Sequence, residues 1–239
     1  MSIDYEVEYD NRARVPEHPD IFARWQREGA AYRAATHNVK LAIPYGPSMR
    51  QTVDLFPAKD DDKAPFAMFI HGGWWRSLDP SMFSQVAAGP NARGISVAVA
   101  GYDLCPNVSI ADIIVQIRNA CLMLWRKRRQ RICIYGHSAG GHLAACMVAQ
   151  DWKAFASDAP ADLVPAAFAI PVCSISCRWC MYRKMRTCGS TKSKRGGCRR
   201  SIGACRPGAR STLSSVRRNQ ANFCARAGRS PKPGDKAWR

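Results

Sequence analysis

The sequence predicts an α/β fold with a mostly parallel sheet, and three observations predict it. Over residues 1–170, apolar runs of strand length alternate with segments of helical periodicity. The connections between them are short, which favours strand-helix-strand crossovers and a parallel sheet covered on both faces. One strand runs straight into a serine set between glycines, Gly136-His137-Ser138-Ala139-Gly140, with small residues of helical character behind it.

Taken in chain order, Asp20 to Ala35 reads as a helix packing across the fold. Gln51 to Phe56 alternates like a half-buried strand, and Asp60 to Lys63 is a solvated turn. Phe66 to Ile70 is a short apolar strand that ends in His71-Gly72-Gly73-Trp74-Trp75. A helix near Ser81 to Ala88 leads to Ile95 to Asp103, whose unbroken apolar run suits a parallel strand buried on both faces. Ile110 to Trp125 is an amphipathic helix with a basic end, Arg126 to Arg129. Arg131 to Tyr135 is the strand that delivers Ser138, Leu143 to Ala149 a helix, and Ala166 to Ile170 one more strand.

The chemistry concentrates at two places. A serine at a tight strand-to-helix turn is pushed into an exposed, strained conformation, and glycines two before and two after it avoid backbone clashes. Ser138 is therefore the candidate nucleophile. His71-Gly72-Gly73 follows a strand end, which places backbone N–H groups of Gly72 and Gly73 beside that turn. With the N–H of Ala139 they would stabilise the oxyanion of a tetrahedral intermediate. Trp74 and Trp75 are candidates for an aromatic substrate pocket, or equally for core or lid residues. His137 and His142 are too close to Ser138 along the chain to serve as its base and read as packing or hydrogen-bonding residues.

On HGGWW at 71–75, AGYDLCP at 100–106 and GHSAGGHLA at 136–144, the chain resembles the α/β-hydrolase superfamily, in its carboxylesterase and arylformamidase-like (kynurenine formamidase-like) branch. Tyr9 to Arg12 and Tyr45 to Pro47 extend the likeness less specifically, and it covers about residues 1–170. The resemblance implies an α/β-hydrolase fold and an acyl-enzyme mechanism on a small carboxylic ester or aryl formamide, with no metal and no cofactor. It also implies an acid and a histidine later in the chain. His142 is the last histidine, and Asp235 is the single acid after residue 170. The expectation is a hydrolase core with little turnover.

Composition changes at the same boundary. Residues 1–170 carry 18 basic and 17 acidic residues, whereas residues 171–239 carry 18 basic and one acidic. Seven of the eleven cysteines lie in that second part. Residues 1–170 form the expected hydrolase core, and residues 171–239 an anomalous basic, cysteine-rich tail expected to be disordered. The strands and helices that would complete the sheet are thus missing or replaced. Codons for Val172 to Lys192 and for Ser211 to Arg239 can be chosen so that the frame one base earlier reads as balanced, foldable protein, which points to a one-base shift near Ile170. Cys173, Cys177 and Cys180 have an iron-sulfur spacing, yet the chain beyond them is too short for the barrel such a site needs. A basic nucleic-acid-binding protein on a hydrolase-like core is the alternative function, and salt-sensitive incidental adhesion to nucleic acid is expected of the tail. The N-terminus has no apolar run of signal-peptide or spanning length, so a cytoplasmic location without membrane contact is expected. Cys105, Cys121, Cys133 and Cys146 are expected to be buried, reduced thiols.

Overall fold

The parallel sheet exists because three apolar runs lie side by side in the same register. A computed structural model of the chain describes residue 10 and residues 12–172, the side chains of the last two excepted. Six strands pair in the order β1-β2-β4-β3-β5-β6. They are β1 (Lys40–Pro44), β2 (Thr52–Phe56), β3 (Phe66–Ile70), β4 (Ser96–Ala100), β5 (Ile132–Ser138) and β6 (Ala167–Val172). β3 runs parallel to β4 and β5, and β5 to β6, while β1 and β2 join antiparallel. Ile70 lies opposite both Ala100 and Gly136, so the strands that carry the motifs end at one level. In such sheets that carboxyl edge is where ligands bind.

Alternation along the strands sends apolar side chains to both faces. Phe56, Phe69, Val97 and Val99 meet the 3₁₀ segment Pro80–Ala87, with Phe22, Trp25 and Tyr32 of helix α1 (His18–Ala35) packed over it. Met68, Ile70, Ala98, Ala100, Ile132 and Ile134 face the other way, toward α3 (Ile110–Arg128) and α4 (Ala139–Val148). Each fully buried side chain of this size contributes about 2 kcal/mol of burial free energy. Gly29 is needed where α1 crosses, because a β-carbon there would sit 2.6 Å from the Ser81 carbonyl oxygen.

The sequence reading meets several adjustments. The helix near Ser81 is the 3₁₀ segment, capped by Asp79, and passes into a short α2 (Ala88–Asn91). α3 starts at a capping box in which Asp112 N–H donates to Ser109 Oγ and Ser109 N–H to the Asp112 carboxylate. Its buried residues Ile110, Ile113, Ile117, Ala120 and Leu124 keep the helical period. Strand β1 went unread because it is a largely exposed edge strand without apolar alternation. It is held by the Asp54 carboxylate, which accepts from Ala42 N–H at 2.8 Å. A short α5 (Trp152–Phe155), capped by Asp151, also went unread; it buries Trp152. β4 ends at Ala100 rather than Asp103, since the chain there turns off the sheet.

Cys133 is a correction. It is exposed, and Cys146 is only partly buried, while Cys105 and Cys121 are buried as expected. By strand alternation Cys133 shares a face of β5 with Tyr135, which packs against the α1-side cluster, while Cys133 itself stays exposed. Phe168 and Ile170 on β6 are likewise 63% and 39% exposed.

The basic end of α3 is not an open cationic patch. Arg126 forms a two-bond pair with Asp158, Arg128 with Asp61, and Arg131 bonds Asp162. Arg128 also lies 4.6 Å over the Phe66 ring. Among the described residues no helix is long and apolar enough to cross a membrane. The readings made for residues 171–239, among them Cys173, Cys177 and Cys180, lie outside the described residues or, at 171 and 172, extend to the backbone alone.

Candidate active site

The serine turn is built by close packing that only glycine allows. β5 ends at Ser138, α4 begins at Ala139, and Ser138 takes φ 56° and ψ −115°. A non-glycine residue in that region carries on the order of 1–3 kcal/mol of strain, which the surrounding structure must hold. A β-carbon on Gly136 would lie 2.4 Å from the Gly140 carbonyl carbon, and one on Gly140 would lie 1.9 Å from the Ile70 carbonyl oxygen. The small residues two before and two after Ser138 are thus required because α4 is pressed against β3 and β5. The helix start also places Ala139 N–H at a positive dipole end.

The loop after β3 lies beside this turn. A β-carbon on Gly72 would be 3.1 Å from Ser138 Cβ and 2.8 Å from the His137 carbonyl oxygen. Gly73 has φ 102°, and Trp74, Trp75 and Leu78 also have positive φ, at 56°, 55° and 75°. The Gly73 carbonyl accepts from the N–H groups of Arg76 and Ser77 and from Ser77 Oγ, each at 3.0 Å, which closes the loop. Trp74 is half-buried, but Trp75 is wholly buried in the core, edge-on to His142 at 5.3 Å. Trp75 therefore supports the loop from within, and Trp74 stays partly exposed beside it, packed against the same core.

All five histidines of the chain fall among the described residues. His71 is completely buried, with Nδ1 donating to the Gly72 carbonyl at 2.8 Å and its ring stacked on Tyr102. Burial lowers its pKa to about 4. His142 faces Trp75, its Nε2 lies 3.7 Å from Cys146 Sγ, and burial lowers its pKa to about 4 as well. The His137 ring lies against the loop after β3, its Nδ1 3.1 Å from a β-carbon built on Gly72; partial screening of the ring lowers its pKa. His18 bonds the Val15 carbonyl at the start of α1, and His37 follows the end of that helix. Among the described residues no three His, Cys, Asp or Glu side chains are grouped so as to hold a metal ion.

Several residues of the site region were missed by sequence reasoning. Asp103 accepts from Ser48 Oγ at 2.7 Å and from Gln51 Nε2 and Gln116 Nε2 at 2.9 Å each. Arg50 donates to the carbonyls of Tyr102 and Leu78. These bonds tie the loop before β2 to the segment after β4. The sequence signal was AGYDLCP at 100–106, which carried the resemblance but pointed to no role for Asp103. Asp103→Ala is expected to lose about 2 kcal/mol by leaving three donors poorly satisfied; urea unfolding measures it.

A mostly parallel sheet packed with helices, with a serine at a strand-to-helix turn, is the arrangement of an α/β-hydrolase fold. The BD-FAE family model matches residues 53–161. The chain is 26% identical over 132 residues to a kynurenine formamidase of Salmo salar, a stretch covering 54% of this chain and 45% of that protein. With a Drosophila melanogaster kynurenine formamidase it shares 35% over 101 residues, covering 40% of this chain and 34% of the relative. A solved structure of a thioesterase candidate from Silicibacter sp. TM1040 aligns with 30% identity and a TM-score of 0.58, over 63% of this chain and 57% of that one. The chain has an α/β-hydrolase fold and is similar to esterases and kynurenine formamidases. It spans less than half the length of these curated relatives.

Proposed function

We propose that the described residues form the nucleophile half of a serine acyl-transfer site acting on a small carboxylic ester or aryl formamide. The observation that carries this reading is the approach of Gly72 to Ser138, with a built β-carbon only 3.1 Å from Ser138 Cβ. Ser138 Oγ would attack the substrate carbonyl carbon and lose its proton. The N–H groups of Gly72, Gly73 and Ala139 would hold the oxygen as it becomes negative, and Trp74 would flank the acyl or aryl group. The C–O or C–N bond then breaks, the leaving alcohol or arylamine takes a proton, and water hydrolyses the acyl-enzyme. Similarity to kynurenine formamidases supports the formamide class for the substrate.

The late histidine that a complete triad would use has no counterpart in the sequence, since His142 is the last histidine of the chain. His71 and His142 are buried among other groups, and the His137 ring lies against the loop after β3, 3.1 Å from a β-carbon built on Gly72. Without a late triad histidine, acylation is expected to be slower by several orders of magnitude than with a complete triad. The break in composition after Ile170 supports a reading-frame shift in the coding sequence as the origin of this arrangement. Sequencing the gene through that codon tests the origin directly.

The site is tested by treating the full chain with an alkyl fluorophosphonate and mapping the adduct by mass spectrometry. A single adduct on the Ser138 peptide, absent in Ser138→Ala, is the expected result. Added imidazole should speed the labelling in proportion to its neutral form, because it supplies a base from solution. An adduct equally abundant in Ser138→Ala would overturn the assignment.

A further inference from the structure

Tyr102 is fully buried, and its hydroxyl donates to two successive carbonyls, that of His71 at 2.8 Å and that of Gly72 at 3.2 Å. The peptides concerned are trans, since Cys105-Pro106 is the cis bond of the described residues. In a trans peptide the N–H points opposite to the C=O. Two carbonyls converging on one hydroxyl therefore turn two successive N–H groups, those of Gly72 and Gly73, to the far side together. Paired amides of this kind form a concave site for a negative oxygen.

The tyrosine is itself fixed from three directions. Its ring stacks on His71 at 4.3 Å with the planes 12° apart, and the His71 ring also lies parallel to Phe83 at 5.9 Å. Its carbonyl accepts from Arg50 Nε at 3.0 Å, and the carbonyl before it, Gly101, accepts from Tyr45 OH at 2.6 Å. Burial pushes the Tyr102 hydroxyl pKa up, so it remains a donor throughout the working pH range.

We infer that Tyr102 is the positioning residue of the oxyanion loop: by holding the His71 and Gly72 carbonyls, its hydroxyl aims the Gly72 and Gly73 amides at the oxygen of a group bound to Ser138. This rests on the acyl-transfer reading of the site and deepens it. Tyr102 touches no reacting atom. Its effect passes through the loop, and it should matter only for chemistry in which charge grows on oxygen.

The test uses the full chain and follows labelling of Ser138 by a fluorophosphonate, in which the Oγ–P bond forms, the P–F bond breaks, fluoride leaves and buffer takes the serine proton. The same reagent with P=S in place of P=O supplies the comparison, since a thioanion gains far less from N–H donors. Tyr102→Phe keeps the ring stack and removes the hydroxyl. The expected result is about a tenfold slower reaction with the P=O reagent, below the loss seen when an oxyanion donor is itself removed. The P=S reaction should slow much less, so the ratio of the two rates falls. An unchanged ratio overturns the inference while leaving Ser138 as the nucleophile. Absence of any Ser138 adduct in the parent chain overturns both. If Tyr102→Phe fails to fold, 3-fluorotyrosine at position 102 retains the donor and should keep the parent ratio or raise it, and a fall in that ratio overturns the inference.

Discussion

Gly140→Ala is expected to destabilise the fold by about 3 kcal/mol or more, the upper range for forcing atoms into a packed interior. The new β-carbon would lie 1.9 Å from the Ile70 carbonyl oxygen, 2.6 Å from the Ile70 carbonyl carbon and 2.7 Å from the His71 carbonyl oxygen. All three are backbone atoms at the end of β3, so no side chain can swing away to relieve the clash. The helix α4 must lift from the sheet instead. That movement would also carry Ala139 away from the loop that holds Gly72 and Gly73, so labelling of Ser138 should fall along with stability. Urea unfolding with matched slopes measures the first effect, and fluorophosphonate labelling of the folded fraction measures the second. A variant with parent stability would show that the helix does not press on β3 as described.

Acid is expected to unfold this core in a window set by two buried histidines. Burial lowers the pKa of both His71 and His142 to about 4, whereas in the unfolded chain each titrates near its ordinary value of about 6.5. Between those limits the unfolded state binds more protons than the folded state, so stability falls as pH falls. Each histidine contributes a loss of roughly 3 kcal/mol by pH 4, and together they amount to a large part of a typical domain stability of about 5–15 kcal/mol. Asp61 adds a further loss at lower pH. Its partial burial raises the pKa, but bonds from Arg128 and Ser96 outweigh this and hold it below the ordinary carboxylate value. The urea midpoint measured from pH 7 to pH 4 should decline with a slope approaching two protons. His142→Gln should remove about one of them. A midpoint flat across this range would mean that neither ring is buried as a neutral base.

The residues that announce the site are local in the sequence. Gly136, Ser138 and Gly140 mark the elbow because the spacing of glycines around a serine records a steric requirement within a few residues. The strands Phe66–Ile70 and Ser96–Ala100 were legible because burial on both faces leaves continuous apolar runs. β1 was not, since its side chains mostly face solvent and its place is fixed by Asp54, twelve residues away. The exposure of Cys133 was also unreadable, because an apolar neighbourhood in sequence says nothing about which face of β5 is covered.

By itself the sequence determined the fold class, the turn that strains Ser138 and the glycines that let a loop approach it. It also determined that no histidine follows His142 in this chain. Only the tertiary structure decided that Tyr102 carries the His71 and Gly72 carbonyls, that Asp103 gathers Ser48, Gln51 and Gln116, and that Trp75 belongs to the core. The reason is the order of the sheet. Periodicity and glycine spacing are properties of neighbours along the chain, whereas β2, β3, β4 and β5 are brought together from segments tens of residues apart, and the partners of a buried hydroxyl or carboxylate exist only once that pairing has formed.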